Sequence, residues 1–404
     1  MELEKRFSIA HFDSWPGDLT YYEAISNSSP EFRREIHDIY FGKIFRCNYR
    51  EQEQWDDRQK LHEVTYGNVM GVEATDAQVD QLFRIQSEFG IQVSLTINQL
   101  NVPVEIFYSR GDRVARDFIE WLGGYYDRGL RSCTLANNHL MRTGMLRKMF
   151  PEMTWKNTVN QQVTTAQQVI DYLYLGYDTI QLDRSLNRNL GELRRIRRAV
   201  ETFRLKHPER NVRTCMLVWE DCLPSCPFKR EHDDLQPYHR RVNYWKSGPG
   251  AGTCSRWRDS ATGKSLLPRA GNNCYWVTQQ TFQEYAALVD VFKFSGRLTE
   301  YTPLSGDGKL QFGWSARNNA VSSFGEILNH SLLPVSAWSL GAFKMAPFER
   351  NPEKIRRDLS GSLWLTDAGL KLEEKLTTCR SQCLECHLCE RTFGMPDIDS
   401  LVAI

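Results

Sequence analysis

Eight short apolar runs, separated by amphipathic stretches of helical period, constrain this chain more than any other feature. The runs are residues 7–12, 43–46, 91–97, 132–136, 155–159, 179–182, 215–219 and 291–294. Between them, residues 76–89, 113–123, 165–175, 190–205 and 279–289 read as helices. Strands that alternate with helices build a parallel sheet, and eight such units close into a barrel. The expected fold is therefore α/β: a (β/α)8 TIM-like barrel over residues 1–297, followed by a mostly helical accessory segment over 298–404. No fixed-period repeat and no low-complexity stretch interrupts that reading.

Composition narrows the function classes. Hydrophobic residues make up 41% and charged residues 25%, the balance of a globular chain with a real core. Lys+Arg of 51 against Asp+Glu of 50 leaves +1, so no global field draws the chain to nucleic acid. A local basic surface is left open, and Leu193-Arg194-Arg195-Ile196-Arg197-Arg198 is the candidate if the substrate is RNA. No run approaches 18 apolar residues, so no membrane span is expected. The start, Met1-Glu2-Leu3-Glu4-Lys5-Arg6, lacks the apolar core of a signal peptide, which sets cytoplasmic residence as the expectation.

The strand ends are polar. Asp13 follows the first run, Asn48 the second, Asn98 and Gln99 the third, Asn137 and Asn138 the fourth. Asn157 and Asn160 flank the end of the fifth, Asp183 and Arg184 follow the sixth, Glu220 the seventh, and Ser295 and Arg297 the eighth. In a barrel these positions converge on the carboxyl-end face, where barrel active sites are built. Any one of them is a residue type that simply begins a loop; the set of eight is harder to dismiss.

Eleven cysteines in a chain without an export signal point to metal ligands, catalytic thiols or buried apolar residues before disulfides. Cys47, Cys133 and Cys215 stand alone in strand-like contexts and read as small buried hydrophobes. Cys222 and Cys226 frame Cys222-Leu223-Pro224-Ser225-Cys226-Pro227 at the end of the seventh strand. Proline spacers hold such a loop in a turn and suit thiolate coordination. Cys254 and Cys274 follow within the same excursion, about residues 222–275, and complete a set of four thiols for zinc or an iron–sulfur cluster. His232 and His239 are alternative nitrogen ligands. The tail Cys379-x3-Cys383-x2-Cys386-x2-Cys389 is a second compact set, for another cluster or zinc.

Five segments carry a resemblance. Lys293-Phe294-Ser295-Gly296-Arg297 resembles the Lys-Ile-x-Gly-Arg segment of the collagenase-like peptidase family U-32. Asn157 through Gln161, then Gly176-Tyr177-Asp178-Thr179-Ile180-Gln181-Leu182-Asp183-Arg184-Ser185-Leu186, is similar to its asparagine-rich strand and the Gly…Leu-x-Arg-Glu-Leu segment that follows. Cys222 through Phe228, with His232, resembles its cysteine strand end, and the tail resembles the cysteine-rich ending of some branches. Ser185 stands where the family usually has Glu, and Val218-Trp219 replaces its His-Gly pair. The residues show no Ser–His–Asp order, no His-Glu-x-x-His and no nucleophile elbow.

The resemblance implies an iron–sulfur protein, with a 4Fe–4S cluster, that adds hydroxyl groups to RNA bases or small aromatic quinone precursors without dioxygen. It implies prephenate as an oxygen donor. In such a site Arg184 and Arg297 would clamp carboxylates, Asp183 and Glu220 would accept protons, and Asn98 and Asn138 would orient substrate. Two other readings stand beside it: a peptidase or other hydrolase with zinc or an iron–sulfur site, and a non-catalytic metal-binding protein whose tail docks a protein partner. The tail has few apolar neighbours, so its metal is expected to supply folding energy that a small core lacks. Cys386→Ala should therefore lower the melting temperature before it touches activity; full stability with lost activity would make the tail a redox participant.

Overall fold

The computed structural model describes residues 6–11, 20–26, 30–52, 59–68, 73–108, 113–219, 229–230, 233 and 279–294, with short pieces between 302 and 386. The strands that matter here are β1 (Phe7–Ala10), β2 (Ile36–Gly42), β3 (Ile44–Gln52), β4 (Gln59–Gly67), β5 (Gln92–Ile97), β6 (Ser132–Leu135), β7 (Thr154–Lys156), β8 (Thr179–Leu182), β9 (Arg213–Trp219) and β10 (Val291–Phe294). Eight of them form a closed parallel barrel in the order β1-β10-β9-β8-β7-β6-β5-β2. Helices flank it, as the alternating pattern requires, so the TIM-like barrel is observed. The division at residue 297, most of the insertion and most of the accessory segment lie outside the described residues.

Helix boundaries follow local chemistry closely. Thr75 caps the helix Asp76–Phe89 and Thr165 caps Ala166–Leu175, each in a capping box with the glutamine three residues on. Thr158 and Gln161 repeat the device on the short 3-10 turn Val159–Gln161 that follows β7. Gly176 ends the helix before β8 with φ of 108°, a conformation that a side chain would strain.

One run belongs elsewhere. The second barrel strand is Ile36–Gly42, and residues 43–46 begin a long antiparallel hairpin, β3 with β4, inserted between the second barrel strand and its helix. Asn48 lies on that hairpin, paired with Glu63, and not at a barrel strand end. Phe45 and Tyr66 from the two arms each pack 5.5 Å from the Phe118 ring, which fastens the hairpin to the helix Arg113–Asp127. Gly67 closes its base: a Cβ there would sit 2.4 Å from the Lys43 carbonyl oxygen.

The barrel is packed from outside. On β5, Val93, Leu95 and Ile97 are fully buried, and they alternate with Ser94 and Thr96. The same inversion recurs on β6, where Cys133 and Leu135 alternate with Ser132 and Thr134. Apolar side chains thus face the helices while short polar ones face the axis. Between β7 and β8, Asp178 accepts from Arg147, from Arg210 at 3.1 Å and from the Trp155 amide at 3.0 Å. It ties the start of β8 to β7 and to two outer arginines. Asp178→Ala leaves the buried Trp155 amide unanswered while both arginines keep their carbonyl contacts, and should cost about 1–3 kcal/mol in urea denaturation.

Candidate active site

Every barrel strand contributes to a small interior cavity, and β2, β8 and β10 each give a second residue, His37, Thr179 and Val291. Ser8, Tyr40, Ser94, Thr134, Lys156, Gln181, Cys215 and Lys293 line it, from β1, β2, β5, β6, β7, β8, β9 and β10 in turn. The space holds about one water-sized group. A bulge sets the β2 register: Phe7 pairs with Ile36 but Ser8 with Asp38, so His37 is an extra residue. Beyond it, Tyr40 lines the cavity and Asp38 meets Lys156 across the barrel.

Asp38 and the Lys156 ammonium form a buried ion pair. Burial alone would raise the Asp38 carboxyl, but Lys156, His37 and a hydrogen bond from Ser8 outweigh it and hold its pKa at about 2. Lys293 lies nearer the carboxyl ends of the strands. Its ammonium sits 4.2 Å from the centre of the Tyr40 ring and donates to Gln181 Oε1 at 3.2 Å. Gln181 in turn donates through Nε2 to Thr134 Oγ1 at 3.3 Å and to the Asn157 carbonyl at 2.5 Å. Its amide donates to Asn157 Oδ1 at 2.5 Å, so Asn157 and Gln181 lock the ends of β7 and β8 together. Two ammonium groups and one carboxylate therefore share the interior.

The expected site residues can now be placed. Asn98 is half-buried directly after β5. The amide oxygen of Asn138 accepts from Gln161 Nε2 at 2.8 Å and from the Tyr177 hydroxyl at 2.9 Å, and its Nδ2 donates to the Tyr172 hydroxyl at 3.3 Å. Asp183 Oδ1 accepts from the Ser185 amide at 2.9 Å and caps the 3-10 turn Arg184–Arg188. Asn138 and Asp183 thus brace the rim. Arg184 points to Asn160 and donates to its Oδ1 at 3.2 Å.

Asp13, Glu220, Arg297, Cys222, Cys226, Cys254, Cys274, His232, His239 and Cys389 lie outside the described residues. Cys379 and Cys386 are half-buried, and Cys383 opens the helical turn Cys383–Cys386. Among the described residues no three His, Cys, Asp or Glu side chains gather as a metal site. Burial pushes the Cys215 thiol up to about 12 and the Cys133 thiol higher still, which favours their protonated forms. Cys47 is half-buried on the hairpin and donates to Asp117 at 3.4 Å.

Asp38, Lys156 and Gln181 were not among the expected site residues, and Lys293 entered only through its motif. A signal existed: a lone charge inside an apolar strand, as in Val291-Phe292-Lys293-Phe294, is seldom buried without a partner.

The fold and interior define a (β/α)8 barrel with a polar, cation-bearing axis. Among solved structures, this chain is similar to the U32 peptidase Mk0906, with a TM-score of 0.44 and 14% identity over 76% of this chain and 96% of that one. It is also similar to an alpha-amylase from Lactobacillus plantarum, with a TM-score of 0.27 and 10% identity over 53% and 62%. No protein-family profile and no curated protein matches the sequence.

The interior pair yields a stability prediction. Lys156→Met strands a buried carboxylate and should cost about 3–5 kcal/mol, whereas Asp38→Leu added to it should recover most of that loss. The folded pKa of Asp38 lies below its unfolded value, so the pair's stabilisation is present above about pH 4 and lost as pH falls towards 2. Urea midpoints between pH 2 and 6 should fall more steeply in the wild type than in the double variant, which keeps only the acid loss of the remaining paired carboxylates such as Glu73.

Proposed function

We propose that this chain is a barrel enzyme of U-32 type that hydroxylates a small anionic aromatic substrate at the carboxyl-end mouth. The hydroxyl group comes from an organic donor, prephenate by the resemblance, and not from dioxygen. One observation carries the reading: segments far apart in sequence that bear the resemblance meet in space. Lys293 reaches Gln181, Gln181 is locked to Asn157, and Arg184 reaches Asn160.

The chemistry of the donor set fits an iron–sulfur cluster. Cys222, Cys226, Cys254 and Cys274 offer four thiolates, and Cys222 is the third residue past the end of β9, at most ~11 Å along the chain. A cluster held there supplies a redox and Lewis-acid centre beside the mouth. The chain's own residues do the rest. Lys293, against Tyr40 and Gln181, fixes positive charge at the axis for an anionic substrate. The Asn157–Gln181 lock and the Asn138–Gln161–Tyr177 network hold the rim rigid around it.

A small substrate is favoured over RNA by the fate of the basic helix. Arg194 pairs with Glu284, Arg195 with Glu192, and Arg197 with Glu201 and Asp290, so the expected basic face is largely neutralised. No helix among the described residues is long and apolar enough to cross a membrane.

Purification without oxygen, with an absorption spectrum and iron, sulfide and zinc analysis, tests the proposal. Iron with matching sulfide is expected, and Cys222→Ala should lose it while the far-ultraviolet circular dichroism stays unchanged. Zinc without sulfide would turn the reading towards a hydrolase.

A further inference from the structure

Glu35 ends the helix Pro30–Glu35 and directly precedes β2, at the amino end of the barrel. Its backbone belongs to the seam between two barrel strands. The Glu35 carbonyl accepts from the Arg6 amide at 2.8 Å, and the next residue, Ile36, pairs with Phe7 of β1. The residue is 2% exposed, and neither carboxyl oxygen has a hydrogen-bond partner among the described residues. Charged groups on the adjoining elements are directed elsewhere. Arg6 donates to the Ala286 carbonyl at 2.9 Å, and Arg33 to the Ile25 and Ser26 carbonyls at 3.2 and 3.1 Å. Arg34 is exposed, His37 Nδ1 lies 3.0 Å from Arg213 Nη1, and Asp38 is paired with Lys156. On the far side of β2, the strand Gln92–Ile97 carries no charge.

We propose that Glu35 is a proton-operated latch on the β1–β2 seam. Neutral, it stays buried and the seam is closed; ionised, it draws water in and the seam opens. A buried carboxylate without a partner is so unfavourable that the group gives up its charge instead. Burial accordingly pushes the Glu35 carboxyl up to about 8. The folded pKa thus lies above the unfolded value of ~4.3. The closed seam is therefore fully favoured below about pH 4, weakens as pH rises, and levels off above about pH 8. Each opening releases one proton, so the opening constant should grow about tenfold per pH unit across that window. The amino end of a barrel serves stability and not chemistry. The latch therefore sets how firmly the barrel is closed, independently of what the mouth binds.

Amide hydrogen exchange on the full chain, purified without oxygen, tests this between about pH 5 and 8, under conditions where exchange tracks the opening equilibrium. Protection of the β1 and β2 amides, corrected for intrinsic exchange, should fall about tenfold per pH unit in the wild type. At pH 8 the seam should be less protected than β6. Glu35→Gln cannot ionise and should lose most of that slope. It keeps His37, so the difference between the two proteins excludes histidine titration as the cause. Glu35→Leu, neutral and apolar, takes its place if Glu35→Gln fails to fold, and the wild-type slope stands as a test without either. Seam protection that does not change with pH, or the same slope in the neutral variant, overturns the proposal. Equal protection of seam and β6 at every pH also overturns it, because the seam then opens only with the whole fold.

Discussion

A carboxylate and an ammonium buried inside a barrel must find each other, and the interior of this protein is arranged around that need. Lys156 on β7 crosses the axis to Asp38 on β2, two strands separated by β6 and β5 in the sheet. Buried charges are tolerable only when paired and hydrogen-bonded, so short hydroxyl side chains suit the neighbouring positions and branched apolar ones do not. Barrel interiors usually hold bulky aliphatic layers. Here Ser8, Ser94 and Thr134 take their place on the axis, and the apolar core lies outside the strands against the helices. Stability then rests on the sheet–helix layer and on the paired charges of the axis.

That inversion decides what the sequence reveals. Runs with apolar residues on the helix side read clearly as strands, and seven of the eight expected runs overlap barrel strands. The second was misplaced because Ile36-His37-Asp38-Ile39-Tyr40 carries its polar residues inward and is broken by a bulge, while Ile44-Phe45 looks more like a strand. Helices were easier. Their start at Asp76 and their end at Leu175 follow from threonine caps and a glycine stop, which are local signals.

Site residues divide along the same line. Asn98, Asn138, Asp183 and Arg184 were visible because they follow strand ends in the chain, a local property. What Asn138 and Asp183 do was not visible, since Asn138 meets Tyr177 thirty-nine residues away and Asp183 turns back on its own cap. The interior pair spans 118 residues and the Lys293–Gln181 contact 112. No window along the sequence contains both partners, so each lysine looks like an isolated exception within an apolar strand.

The near-zero net charge hides an uneven distribution. On the outer helix Leu190–Lys206, Arg194, Arg195 and Arg197 are each answered by a carboxylate. On the axis Lys156 pairs with Asp38 and Lys293 donates to Gln181, and at the rim Arg184 and Lys229, the latter paired with Asp233, reach the Asn160 amide oxygen. Carboxylates answer positive charge on the outer helix, and Asp38 answers Lys156 on the axis, where low-dielectric walls strengthen the pairing. A long polyanion would need the outer arginines unpaired along a surface. A compact anion needs only a site inside the barrel mouth, where Lys293 lies against Tyr40 and Gln181.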